Sequence, residues 1–76
     1  MTLAYGVGRM RVTENQRRTM AFFMAYTEDN GRPPTLDEVA VFLGVSKQYV
    51  HQIVRALEKK GLMANGGGPR AWRVTL

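Results

Sequence analysis

Three residues, Gly44-Val45-Ser46, separate two amphipathic stretches of this chain. A break that short makes the stretches turn on each other at once, as in a helix-turn-helix pair. Before it, Leu36, Val39, Ala40 and Leu43 recur at helical spacing, and after it Val50, Ile53, Val54 and Leu57 do the same. Gly44 suits the left-handed conformation in which helices end, and Ser46 is a good N-cap for the next one. Thr35-Leu36-Asp37-Glu38 is a capping box whose acids also complement the positive end of the helix dipole. Lys59-Lys60-Gly61 sets cations at the negative end of the last helix, followed by a glycine stop.

Upstream, Thr13-Glu14-Asn15-Gln16 is a second capping box, which predicts a helix ending at Asn30-Gly31. Met20, Phe23, Met24 and Thr27 are its expected inward stripe, widened by Phe22 and Tyr26, with Arg17 and Arg18 on the wet side. Arg32-Pro33-Pro34 is expected to be extended, because proline fixes its own φ and pushes the preceding residue out of the helical region. Downstream the period changes. Leu62-Met63-Ala64 is short and apolar, Asn65-Gly66-Gly67-Gly68-Pro69 is a flexible tip, and Trp72, Val74 and Leu76 alternate onto one face. An isolated hairpin is marginal, so this one must lean on the helices. The expected class is mainly α with a small β-hairpin: an arm over residues 1–12, then one domain over 13–76.

Composition narrows the functional classes. The chain has 76 residues, no cysteine and a 45% apolar fraction with 22% charged residues, which describes a small folded domain without disulfides or thiolate metal sites. No apolar run approaches the roughly 18 residues of a membrane span, and no secretory apolar segment opens the chain. Net charge is +5, unevenly placed. Residues 1–45 carry five basic and five acidic groups, whereas residues 46–76 carry six basic groups against Glu58 alone. A block of that kind favours a polyanionic partner.

The apolar stripe sets the orientation of the third helix, so Ser46, Lys47, Gln48, Tyr49, His51 and Gln52 are expected to face outward near its start. Only Lys47 among them is charged, and a set of neutral hydrogen-bonding groups suits base edges better than phosphate alone. Arg55, Lys59 and Lys60 follow along the helix, and Arg70 and Arg73 flank the hairpin. The glycine tip around Gly67 is suited to a close approach to backbone or minor groove, with Arg70 as its charged finger. Arg9 and Arg11 lie in the arm, where a minor-groove contact and a disordered tail are both open.

Other chemistries lack their residues. His51 is the single histidine, and with no cysteine a zinc site would rest on carboxylates. Ser46 and His51 share a helix with no placed carboxylate, and residues 66–68 do not open a helix as a dinucleotide loop does. No enzyme activity, cofactor, metal or small-molecule ligand is expected.

The stretches Thr13-x-x-Gln16, Asn30-Gly31-Arg32-Pro33-Pro34-Thr35-x-x-Glu38-Val39-Ala40-x-x-Leu43-Gly44 and Ser46-x-x-x-Val50-His51-x-x-Val54-x-x-Leu57-Glu58-Lys59-Lys60-Gly61-Leu62 resemble the N-terminal DNA-binding domain of the LexA repressor family. The resemblance runs from Thr13 to Leu76 and implies a winged helix-turn-helix of three helices plus a wing. It also implies a short strand at Arg32 to Thr35 joining the hairpin sheet. Ser46, Gln48, Tyr49, His51 and Gln52 fall where that family touches bases, and Arg70 near its wing arginine. Full-length members continue into a self-cleaving domain using a Ser and a Lys. Here the single serine, Ser46, is assigned to an N-cap, so no self-cleavage is expected. A homodimer on a palindromic site would use the arm, a helix face, the DNA or a further partner.

The expected function is sequence-specific binding of double-stranded DNA by a bacterial or phage transcriptional repressor, in the cytoplasm at the nucleoid. The helix over residues 46–60 would read the major groove, and the wing over 65–71 would contact backbone or minor groove. The alternative is a winged-helix protein–protein adaptor or anti-repressor that binds a regulator or polymerase. It draws on the neutral first half and on Leu3, Tyr5, Val7 and Met10 in the arm. Structured RNA is a third class sharing the charge argument.

Overall fold

The computed structural model of the chain describes residues 12–68 and 70–75. The expectations placed on the arm (Leu3, Tyr5, Val7, Arg9, Met10 and Arg11), on Pro69 and on Leu76 lie outside those residues. The elements run α1 (Glu14–Asn30), α2 (Leu36–Leu43), α3 (Lys47–Lys59), β1 (Met63–Asn65) and β2 (Trp72–Val74).

Local chemistry starts and stops each helix. The Thr13 hydroxyl accepts from the Gln16 amide at 3.1 Å while the Gln16 side chain accepts from the Thr13 amide at 3.0 Å. Thr35 and Glu38 repeat the exchange at the head of α2, at 3.2 and 2.7 Å. Such reciprocal pairs satisfy orphan donors that would otherwise destabilise a short helix by about 1 kcal/mol each. Gly31 and Gly44 end α1 and α2 at φ 74° and 73°, the left-handed region that costs glycine nothing. Ser46 then caps α3 by accepting from the Tyr49 amide at 3.1 Å. At the far end of α3, Gly61 donates to Glu58 O and Leu62 to Leu57 O, both at 2.9 Å. That is a Schellman stop, and it turns Leu62 into the core.

The core is one cluster. Val50, Val54 and Leu57 of α3 are fully buried and Ile53 nearly so, against Val39 and Ala40 of α2, Phe23 of α1, and Leu62, Met63 and Trp72 of the hairpin. Each large apolar side chain so buried contributes roughly 1.5–3 kcal/mol. The α1 stripe differs from the expected one. Met24 is 52% exposed and Thr27 is also exposed, whereas Thr19 is buried beside Phe23. A buried hydroxyl is tolerable here because Thr19 donates to Asn15 O at 2.7 Å, leaving no unsatisfied polar atom. Phe22 stacks on Phe42 of α2 at 4.3 Å between ring centroids, and the Arg18 guanidinium lies 5.6 Å over the Phe42 ring. Arg18 is therefore half-buried at the α1–α2 seam rather than on the wet side.

β1 and β2 pair antiparallel, with Met63 opposite Val74 and Asn65 opposite Trp72. The tip closes through Gly66 N to Ala71 O at 3.0 Å, and Gly67, at φ 100°, donates to the Asn65 side chain at 2.8 Å. At its base the hairpin is tied down by Thr75, which donates its amide to Leu62 O and its hydroxyl to Gly61 O. Among the described residues the sheet has these two strands, so Arg32 to Thr35 does not add a third. Pro33 and Pro34 have no N–H to give a ladder, and the Thr35 amide is taken by the Glu38 carboxylate. The carbonyl of Pro33 accepts from the Arg70 guanidinium instead.

Leu57→Ala is expected to destabilise the domain by roughly 2–5 kcal/mol, since it opens a cavity among fully buried neighbours. Met24→Ala, on the exposed face of α1, is expected to change stability by no more than about 0.5 kcal/mol. Urea unfolding followed by circular dichroism checks both values, and a large loss at Met24 would restore the original phase of α1.

Candidate nucleic-acid interface

Burying Val50, Ile53, Val54 and Leu57 leaves the opposite half of α3 to solvent, and Ser46, Lys47, Gln48, Tyr49, His51 and Gln52 are all exposed. Lys47, Gln48, His51 and Gln52 line a series of adjoining hollows. One hollow is shared by Gly68 of the wing, Trp72, Lys47 and the first residues of α2, Thr35 to Asp37. The next is lined by Leu36, Lys47, Gln48 and His51. A third continues along α3 through His51, Gln52, Arg55, Ala56 and Lys59. Leu36 and Lys47 are shared by the first two hollows and His51 by the last two. The result is one concave strip from the wing tip to the last turn of α3.

The cations on the strip are loosely held. Lys47 Nζ is 3.5 Å from Asp37 Oδ2 and Arg55 Nε 3.6 Å from Glu58 Oε1, all with largely exposed side chains. Exposed pairs of this kind are worth about 1 kcal/mol or less, so an incoming anion can replace the carboxylate at little cost.

Four of the residues expected in the site sit elsewhere or are otherwise engaged. Tyr49 turns toward α1, its hydroxyl accepting from the Asn15 side chain at 3.3 Å. Lys60 reaches the same region, with Nζ donating to Gln16 Oε1 at 3.0 Å. These two positions are eleven residues apart, about three helical turns, so they share a flank of α3. That signal is readable in the sequence once the helix is drawn as a wheel. Arg73 lines a different hollow, between β2 and α1, with Phe23, Met24, Thr27 and Glu28.

Arg70 is not a free finger. Its Nη1 donates to Glu38 Oε1 at 3.0 Å and its Nη2 to Glu38 Oε2 at 3.1 Å, and Nη1 also donates to Pro33 O at 3.1 Å. Glu38 in turn accepts from the Thr35 amide and from the Tyr26 hydroxyl. The Arg70 guanidinium, the Thr35 amide and the Tyr26 hydroxyl all stabilise the charged carboxylate, which brings the Glu38 pKa down to about 2. The same contact raises the Arg70 pKa further above its ordinary value. No local spacing signals this partnership, because the two residues are 32 positions apart.

Three helices, of which α2 and α3 meet at a glycine-containing turn, and a hairpin whose tip stands beside the head of α3, define a winged helix-turn-helix. Its strip of polar and cationic side chains runs along the outward face of the second helix of that pair. Residues 10–71 match the LexA DNA binding domain, and the chain belongs to that family. It is 37% identical over 65 residues to the LexA repressor of Thermotoga petrophila, covering 84% of this chain and 33% of that protein. The LexA repressor of Geotalea uraniireducens is 36% identical over 59 residues, which is 76% of this chain and 29% of that protein. That of Myxococcus xanthus is 36% identical over 56 residues, 72% and 25% respectively. The chain thus spans a third or less of the length of these relatives. No helix among the described residues is long and apolar enough to cross a membrane.

The Glu38 contacts make stability depend on acid in a defined window. A carboxylate whose pKa falls on folding stabilises the native state fully above its ordinary value, 4.5, and loses that contribution as pH drops toward about 2. Thermal melts across this window are expected to show a smaller decline for Glu38→Gln than for the unsubstituted protein. Equal slopes for the two would contradict the assignment.

Proposed function

We propose that the chain is the DNA-reading domain of a transcriptional repressor, binding double-stranded DNA sequence-specifically. In this reading α3 enters the major groove, and the wing over residues 65–71 lies on the adjacent backbone or minor groove. The observation that carries it is the continuity of the concave strip from Gly68 through Lys47 and His51 to Lys59. A major groove about 12 Å wide admits an α-helix, and the N-terminal residues of that helix are the ones that reach base edges.

Roles follow from chemistry and place. Gln48, His51 and Gln52 are the base readers, with Gln suited to an adenine edge. Ser46 and Lys47 stand at the helix N-terminus, where its dipole also favours phosphate. Arg55 and Lys59 neutralise backbone charge along the groove, and Gly67 brings the wing tip close to a strand. Tyr49 and Lys60 serve a flank near α1, and Arg73 an outer edge. A homodimer on a palindrome is part of the proposal, because symmetric half-sites are the usual partner of such domains.

Selection of bound sequences from a random duplex library is expected to return a defined motif arranged as an inverted repeat. On that motif, Gln48→Ala and His51→Ala are expected to cost roughly 1–3 kcal/mol and to relax base preference. Lys59→Ala should weaken selected and random duplexes alike and reduce the salt slope by about one. If both kinds of substitution weaken both duplexes equally, α3 does not read sequence.

A further inference from the structure

We propose that Arg70 and Glu38 form a positioning lock that holds the wing beside the head of α2, and that Arg70 itself neutralises no phosphate. The inference rests on the DNA-binding reading and specifies how its two contacting elements are kept in register. Met63 and Trp72 seat the strands on the core, so the starting point is how few hydrogen bonds orient the tip beyond them. Each strand has three residues, and the hydrogen bonds of the tip, from Gly66, Gly67 and Ala71, stay within the hairpin. Thr75 anchors the base of the hairpin, at the opposite end from the glycines. A hairpin of this length has little stability of its own.

Among the described residues, the hydrogen bonds that tie the wing near its tip to the helical body come from Arg70. Both ends of the guanidinium fork engage the Glu38 carboxylate, and one also takes the carbonyl of Pro33, in the segment that leads into α2. Bidentate geometry fixes direction as well as distance, which a single charge contact does not. Glu38 is itself held from two other sides, by the Thr35 amide and by Tyr26 of α1. The wing is thereby fastened to a carboxylate that is itself held by α1 and by the cap of α2. Thr35, the residue that Glu38 caps, also lines the hollow where Gly68 meets Lys47. The lock thus stands at the wall of the junction between wing and reading helix.

Two consequences separate a lock from a phosphate contact. Glu38→Gln removes a negative charge near DNA and frees the guanidinium, so it would strengthen binding if Arg70 reached phosphate. It weakens binding if the pair is a lock. Arg70→Lys keeps the charge and loses the fork, so a phosphate contact would survive it and a lock would not.

The experiment is a fluorescence-anisotropy titration of a selected duplex with the unsubstituted protein, Arg70→Gln, Arg70→Lys, Glu38→Gln and the double variant Glu38→Gln/Arg70→Gln. A thermal melt of each confirms that it is folded. Glutamine also serves at the third position of a capping box, so Glu38→Gln keeps its helix start. The lock predicts that each single variant binds roughly tenfold more weakly and that the double variant is no weaker than either single. It predicts an unchanged salt slope, and hydroxyl-radical protection lost at the wing but kept in the major groove. Undiminished binding by folded Glu38→Gln, or a salt slope reduced by about one in Arg70→Gln, overturns the lock and leaves the DNA reading standing. An unsubstituted protein that retains no duplex overturns both.

Discussion

The rotational setting of α3 governs everything this domain presents to a partner. Four side chains spaced at i, i+3, i+4 and i+7 enter the core with almost no residual exposure, and that burial fixes the helix about its own axis. With about 100° between successive residues, Gln48, His51, Gln52, Arg55 and Lys59 are then confined to the opposite half. Lys47 falls on the flank toward α2 and the wing, and Tyr49 and Lys60 fall on the flank toward α1. A shift of the stripe by one residue would hand the outward face to different side chains, so the apolar core and the polar surface are one decision.

A chain this small has little core to spare, and its polar contacts divide into two kinds. Those that shape the fold are multiply bonded and directional, as at Glu38, which joins the cap of α2, the Tyr26 hydroxyl of α1 and the wing arginine. Those on the strip are single, long and exposed, as at Lys47–Asp37 and Arg55–Glu58. The first kind fixes direction as well as distance, and the second exchanges its partner at little cost. The division matches the work proposed for each: one set keeps wing and helix in register, and the other exchanges its partners for phosphate oxygens.

Much of this was legible in the sequence, because the signals were local. Capping boxes at Thr13 and Thr35, the Ser46 cap, the glycine stops and the α3 stripe are all set by residues within a turn of one another, and the structure places each as read. The α1 face was harder. Met20, Phe22, Phe23, Met24 and Tyr26 spread over about 200° of the helix, more than one face needs, so the apolar period is ambiguous and the packing of α2, α3 and β2 decides it. A threonine that satisfies its own hydroxyl gives no apolar signal at all. The extra strand at Arg32 to Thr35, implied by family resemblance, is absent where the Thr35 amide and the Pro33 carbonyl are engaged by Glu38 and Arg70 side chains. For the site, the outward set on α3 was readable, whereas the Arg70–Glu38 pair depends on the chain returning over 32 residues. Nothing in the local pattern of either segment announces it.

The central claim is that a single face, running from the wing tip along α3, meets the DNA. Backbone amide chemical-shift mapping during titration with a selected duplex tests it most directly. The account predicts that the perturbed amides cluster at Gly67 and Gly68, at Lys47 to Gln52, and at Arg55 and Lys59, while Met24 and Glu28 on the outer side of α1 stay unmoved. Perturbations centred on Met24 and Glu28, with the start of α3 unchanged, would contradict it.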